Sequence, residues 1–177
     1  MPRGQPPATS TTTTEPPFKM FEIMPSLYLS RYPKVALLPD NITHILNMCK
    51  DPHDDDCGRL ILHIPLDDID DIKPHMSKVI TFIENSIGSG GSVLVHCALG
   101  LNRSVAAILA YVCHVQKVDS ATALTFLKAK KPDVKPSALF LKQIDQYYGR
   151  DGGKEDPLVG FHRRLQDRKR AAESRNV

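Results

Sequence analysis

A cysteine and an arginine separated by five residues mark the segment SVLVHCALGLNRSVAAILAYV, residues 92–112. Cys97 ends an apolar run typical of a buried strand, and Arg103 opens a run typical of a helix. A loop that enters a helix N-terminus points backbone N–H groups inward, where the helix dipole also favours negative charge. The spacing therefore predicts a phosphate cradle formed by Ala98, Leu99, Gly100, Leu101, Asn102 and Arg103.

The same arrangement predicts a cysteine nucleophile. The field that attracts phosphate would also favour the Cys97 thiolate, placing its pKa below the roughly 8.5 of a free thiol. Arg103 offers two parallel donors to phosphate oxygens, and Gly100 allows a tight turn. Attack of Cys97 on phosphorus would form a phosphocysteine intermediate without a metal or other cofactor. Ser104 is placed to hydrogen-bond the departing sulfur, and His96 to orient the loop from behind.

At these residues the chain resembles a known family. HCALGLNRS matches the HCxxGxxRS signature of the dual-specificity branch of the protein-tyrosine phosphatases, and the resemblance extends over roughly residues 18–148. It implies a protein phosphatase that hydrolyses phosphotyrosine and phosphoserine or phosphothreonine. A buried core thiol is the commoner fate of a single cysteine, but such a thiol does not require a glycine, an arginine and a serine at this spacing.

The resemblance also implies a carboxylic acid on an earlier loop, which protonates the departing oxygen and then activates water. HIPLDDIDDIKP offers four aspartates, and counting from HIP assigns the role to Asp68. Counting backward from the following helix instead places the acid earlier in the chain, because this loop is shorter than usual for the family. Asp67 therefore stays open as the alternative. Clustered like charges raise the pKa of at least one carboxyl group, which favours an acid that is protonated near neutral pH.

Two positions of the signature depart from the commonest family pattern, which has alanine before the glycine and serine before the arginine. Here these positions are Leu99 and Asn102. Neither change removes a backbone N–H donor of the loop, so we expect hydrolysis to be retained. We expect the choice of substrate to differ, because these side chains would lie at the rim of the pocket.

The other cysteines, Cys49, Cys57 and Cys113, show neither CxxC pairing nor dense spacing, which argues against a zinc cluster or a disulfide framework. Cys49 and Cys113 lie in apolar patterns typical of buried thiols. Cys49 carries a second hypothesis: beside the signature loop, it would form a reversible disulfide with oxidised Cys97.

Strands and helices must hold these residues in position. Apolar runs predict strands over 42–48, 59–66 and 93–97, after closely spaced apolar residues from Phe18 and a short helical candidate around 35–38. Helical spacing predicts helices over 74–87, over 103–115, from Asp119 or Ser120 to before Pro132, and over 137–148. The alternation predicts an α/β fold resembling the protein-tyrosine phosphatases, with a mainly parallel central sheet flanked by helices on both faces.

The 177 residues, 41% of them apolar, are enough for one domain. We expect a disordered Pro/Thr-rich tail over 1–17, a catalytic domain over 18–150, and a basic tail over 151–177 that forms a loose helix or a solvated segment. Net charge is only +3, and no apolar run reaches the roughly 20 residues of a membrane span. We expect a phosphoprotein substrate, no nucleic-acid or membrane partner, a monomer, and a cytoplasmic and/or nuclear location.

Three alternatives stay open. A relative of this fold could dephosphorylate a phosphoinositide or an RNA 5′ end, although the loop lacks the lysines common in lipid-acting relatives. A phosphoprotein-binding module with little turnover would typically have lost Cys97 or Arg103, and both are present. A sulfur-transfer enzyme also uses a cysteine in an anion cradle, but the adjoining HC and RS pairs favour the phosphatase.

Overall fold

A computed structural model of the chain describes residues 18–54 and 56–150. The tails predicted over 1–17 and 151–177 lie outside these described residues. Within them, no helix is long and apolar enough to cross a membrane.

The described chain forms five strands and four α-helices around one central sheet. The strands are β1 (Met20–Met24), β2 (Leu27–Ser30), β3 (His44–Asn47), β4 (Leu60–His63) and β5 (Val93–His96). The α-helices are α1 (Lys73–Gly88), α2 (Arg103–Gln116), α3 (Ser120–Lys130) and α4 (Ala138–Tyr147), and a 3-10 helix spans Val35–Leu37. The predicted fold class is confirmed. The strands at 42–48 and 59–66 are shorter than predicted, because the flanking apolar residues pack in the core from loops.

The strand order is β1-β2-β5-β3-β4. β1 is antiparallel to β2, and every other neighbouring pair is parallel. The register aligns Ser30, His96, Asn47 and His63 at the last position of their strands. Because the carboxyl ends of parallel strands share one edge of a sheet, the loops that follow these strands meet there.

The two faces of the sheet are covered differently. The larger core lies under the four α-helices and is built around α2, which is buried continuously from Ser104 to Cys113. A smaller core on the opposite face includes Val35, Leu38 and Leu94, and the 3-10 helix and its flanking loop cover it. Alternating residues of β5 serve the two cores, so the central strand is buried on both sides.

Helix termini are set by local signals. Pro74 lies in the first turn of α1, where its missing N–H has no intrahelical partner to lose. The Asp119 side chain accepts a hydrogen bond from Thr122 N at 2.8 Å and caps α3. Ser137 Oγ accepts one from Phe140 N at 3.3 Å and caps α4. These caps confirm the predicted starts of both helices.

Candidate active site

The loop between β5 and α2 begins with Cys97, which directly precedes Ala98 in the lining of a cleft. The Cys97 side chain is only 2% exposed. Gly100 has a φ of +67°, and a Cβ atom on it would lie 2.5 Å from the carbonyl oxygen of Ser30. Tyr32 N donates to Ala98 O at 3.2 Å, so the backbone that follows β2 supports the loop from one side. Glycine is therefore required at position 100 by both conformation and space.

The surroundings of Cys97 favour its thiolate. Burial acts to raise the pKa of the thiol, but hydrogen bonds from Ser104 Oγ and from the Ser104 and Gly100 backbone, with the charge of Arg103, outweigh it. The pKa therefore lies below the ordinary value. Ser104 Oγ donates to Cys97 Sγ at 3.1 Å, and both residues are buried. This contact stabilises the Cys97 thiolate in a site shielded from water.

The remaining buried thiols behave in the opposite way. Burial, followed by the nearby Cys97, raises the pKa of Cys49 to about 11. Burial likewise raises the pKa of Cys113, in the middle of α2, to about 12. Both stay protonated at neutral pH, and neither they nor Cys97 form a disulfide. Cys49 lines the cleft, and the disulfide between it and an oxidised Cys97 stays a prediction.

Arg103 reaches from the start of α2 toward the cleft. Its Nη1 atom donates to Leu66 O at 3.0 Å. Its Nε atom lies 3.2 Å from Asp68 Oδ1 but lacks hydrogen-bond geometry, so that contact is an ion pair. The guanidinium group thus connects the start of α2 to the loop that carries the aspartates.

Two aspartates of that loop face the cleft in different ways. Asp67 Oδ2 pairs with Lys50 Nζ at 2.8 Å. Asp68 is 61% exposed and lies beside Arg103, while Asn102 Nδ2 donates to its Oδ1 atom at 3.0 Å. Asp68 is therefore the aspartate held against the signature loop.

His96 lies behind the loop and is fully buried. Its Nε2 atom lies 2.8 Å from His53 Nε2, so one ring donates a hydrogen bond to the other. The Tyr32 ring packs edge-on against His96 at 5.3 Å between centroids. Burial, followed by the nearby His53, lowers the pKa of His96 to about 3. His96 is thus neutral near physiological pH, which suits support of the loop rather than proton transfer.

The cleft has a volume of about 520 Å³ and is lined by Tyr32, Cys49, Lys50, Asp51, Asp67, Asp68, Ala98 and Arg103. Sequence reasoning did not select Tyr32, Lys50 or Asp51. Their positions after strands could have indicated them, because they follow β2 and β3, whose carboxyl ends lie beside that of β5. Leu99 is 71% exposed, consistent with a position at the rim.

Comparison with known proteins yields a consistent result. Residues 27–150 match the family model described as dual specificity phosphatase, catalytic domain. Dual specificity protein phosphatase 1 of Arabidopsis thaliana is 32% identical over 114 residues, covering 63% of this chain and 58% of that protein. Human protein phosphatase Slingshot homolog 3 is 33% identical over 134 residues, covering 72% of this chain and 20% of that protein.

A solved structure agrees with these sequence relatives. The crystal structure of DUSP15 has a TM-score of 0.69 and 28% identity to this chain, and the match covers 84% of this chain and 96% of that one. The chain spans 58% of the Arabidopsis relative and a smaller share of the human relative, so the matched region is only a part of each.

Proposed function

Since the chain belongs to the dual-specificity phosphatase family, we propose that it removes phosphate from phosphotyrosine and from phosphoserine or phosphothreonine in proteins, with residues 18–150 as its catalytic domain. The 3.1 Å contact between Ser104 Oγ and Cys97 Sγ carries the proposal. A buried anion is costly, and the donors that maintain this one lie in a loop shaped for phosphate.

In the first displacement Cys97 Sγ attacks phosphorus. The S–P bond forms as the ester P–O bond breaks, and Asp68 donates its proton to the departing substrate oxygen. Arg103 turns from Leu66 O to donate to two phosphate oxygens, while loop N–H groups bind the others. The products are the dephosphorylated side chain and a phosphocysteine.

In the second displacement a water molecule attacks the phosphocysteine. Asp68, now a carboxylate, takes a proton from the water as the new P–O bond forms and the S–P bond breaks. Ser104 Oγ donates to the departing sulfur and stabilises the returning thiolate. Inorganic phosphate leaves, and Asp68 and Cys97 return to their starting protonation states. Each step uses side chains of this chain.

Asp68 is the better candidate for the acid on geometry. It lies beside Arg103 and Asn102, whereas Asp67 is paired with Lys50. His96, Ala98, Leu99, Gly100, Leu101 and Asn102 complete the proposed site by supporting the loop and presenting its backbone to phosphate.

The cleft also supports a protein substrate. It is open, and the aromatic ring of Tyr32 and the ammonium group of Lys50 lie in its walls. An open cleft admits the long phosphotyrosine side chain as well as the shorter phosphoserine and phosphothreonine. We further propose a monomer that acts on phosphoproteins in the cytoplasm and/or nucleus, and sedimentation of the purified chain tests the monomer.

Phosphate release from matched phosphotyrosine and phosphothreonine peptides and from a phosphoinositide tests the proposed activity, with Cys97→Ser as the control. We expect release from both peptides and none from the variant, which should still bind phosphopeptide. Release from the lipid alone would assign a lipid phosphatase instead. Phosphopeptide binding without release by the unaltered chain would assign a binding module.

A further inference from the structure

The side chain of Asn102 connects three segments of the active site. Its Nδ2 atom donates to Asp68 Oδ1 at 3.0 Å. Its Oδ1 atom accepts from the backbone N–H of Ser137 at 2.8 Å. Asn102 itself directly precedes Arg103 in the Cys97 loop. One amide group therefore joins the Cys97 loop, the aspartate loop and the start of α4.

This use of an asparagine departs from the usual role at a helix start. Asn102 occupies the N-cap position of α2, where asparagine normally accepts a hydrogen bond from the first turn, but its side chain caps nothing there. The Asn102 side chain therefore occupies none of the first-turn N–H groups of α2. The Asn102 amide is directed instead toward Asp68 and Ser137.

The orientation of this amide is fixed by its partners. A backbone N–H can only donate, so the atom facing Ser137 N must be the carbonyl oxygen of Asn102. The NH₂ group then necessarily faces Asp68. A carboxylate oxygen is the matching acceptor, so both ends of the amide are satisfied in one rotamer.

Helix α4 is a firm anchor for this contact. Ser137 caps α4, and Phe140 and Ile144 of the same helix are buried in the main core. The helix also holds the backbone of the aspartate loop, because Gln143 Nε2 donates to Asp70 O at 3.2 Å. Gln143 Oε1 accepts from Ile72 N at 3.1 Å.

We propose that Asn102 is a positioning residue for the general acid. The inference rests on the proposed function, in which Asp68 is that acid. Since Asn102 Nδ2 donates to Oδ1, the transferred proton is carried by Oδ2, the oxygen left free to face the departing group. When Arg103 turns to the phosphate, Asn102 keeps Asp68 in place.

The dependence of the rate on the leaving group tests this role. A phosphothreonine peptide needs a proton on its departing oxygen, whereas an aryl phosphate with a strongly acidic phenol does not. We expect Asn102→Ala to lower kcat/KM, which reports the first displacement alone, about 10- to 100-fold for the peptide and less than about 3-fold for the aryl phosphate. Asn85→Ala, on the exposed face of α1, should change neither rate.

Asn102→Asp separates positioning from a structural role. It keeps an acceptor for Ser137 N but faces Asp68 with a second carboxylate in place of the donor, so the loss of kcat/KM should be at least as large as in Asn102→Ala and again greater for the peptide, with an unchanged melting temperature. In an Asp68→Asn background, Asn102→Ala should cause no further loss, because it acts through the group already removed.

An equal loss with both substrates, or independent effects in the double variant, would overturn the positioning role. Failure of the proposed function itself is distinguishable, because the unaltered chain would then release no phosphate from either substrate.

Discussion

The two loops that face each other across the cleft are built in opposite ways. The loop from Cys97 to Arg103 is fixed at both ends by β5 and α2, and its functional sulfur is almost fully buried. The loop from Leu66 to Ile72 is buried only at its ends, and Asp68 between them is mostly exposed. Contacts from Asn102 and Gln143 hold that second loop.

The difference matches the chemistry that we propose for each loop. Phosphate binding needs many donors around one point, and a backbone turn at a helix start supplies them within a few residues. Proton transfer needs one carboxyl group that reaches the substrate oxygen, which a side chain on an exposed loop provides. The first task is encoded locally, and the second depends on contacts between distant segments.

The largest expected effect comes from breaking the backbone of the Cys97 loop. Gly100→Ala would put a methyl group against Ser30 O in a left-handed conformation. We expect kcat/KM for an aryl phosphate to fall at least about 10³-fold, because the backbone N–H groups of the loop would no longer point toward one phosphate. Circular dichroism and the melting temperature should show that the sheet remains folded. Activity near that of the unaltered chain would mean that the loop tolerates the methyl group.

Removing the acid should have the next largest effect. Asp68→Asn keeps the shape of the side chain but cannot donate or accept the proton, so we expect kcat for a phosphopeptide to fall about 10²- to 10³-fold with KM little changed. Asp67→Asn is the matched control and should change kcat less than about 5-fold, since Asp67 is paired with Lys50. The reverse ranking would assign the acid to Asp67.

Ser104→Ala tests how far the Ser104 hydrogen bond favours the Cys97 thiolate. The Ser104 hydrogen bond favours the thiolate, so its loss raises the pKa of Cys97 and shifts the pH midpoint of alkylation by iodoacetamide upward. We expect kcat to fall about 10-fold, because sulfur becomes a poorer leaving group. Ser86→Ala on α1 should leave the alkylation midpoint unchanged, and an unmoved midpoint in Ser104→Ala would contradict the assigned role.

The smallest effect should come from the anchor of the aspartate loop. Gln143→Leu leaves the buried N–H of Ile72 without its acceptor, so the free energy of unfolding should fall by about 1–2 kcal/mol in urea titrations. Turnover of a phosphothreonine peptide should fall a few-fold. Gln146→Leu lies on the same helix as Gln143 but alters only a contact with Lys73 of α1, so it should cost less than about 0.5 kcal/mol. Equal effects in both variants would argue against an anchoring role for Gln143.

Sequence alone predicted the Cys97 loop better than the aspartate loop. The spacing of Cys97, Gly100 and Arg103 is local, and the strand and helix on either side have clear periodicity. The four helices also lie where caps and apolar spacing predicted them. Sequence alone left the general acid open between Asp68 and Asp67. The position of Asp68 depends on Asn102 and on a helix more than 60 residues later in the chain. Contacts between segments that are distant in the chain leave no periodic pattern in the sequence.

The strand order also has a consequence for how the protein is made. β2 and β3 are not neighbours; each pairs with β5, which is synthesised after both. The sheet therefore consists of two halves until β5 inserts between them, and the loop that follows has no fixed start before then. Because the donors that lower the pKa of Cys97 come from the loop after β5 and the start of α2, we expect the thiolate to be favoured only when the central strand is in place.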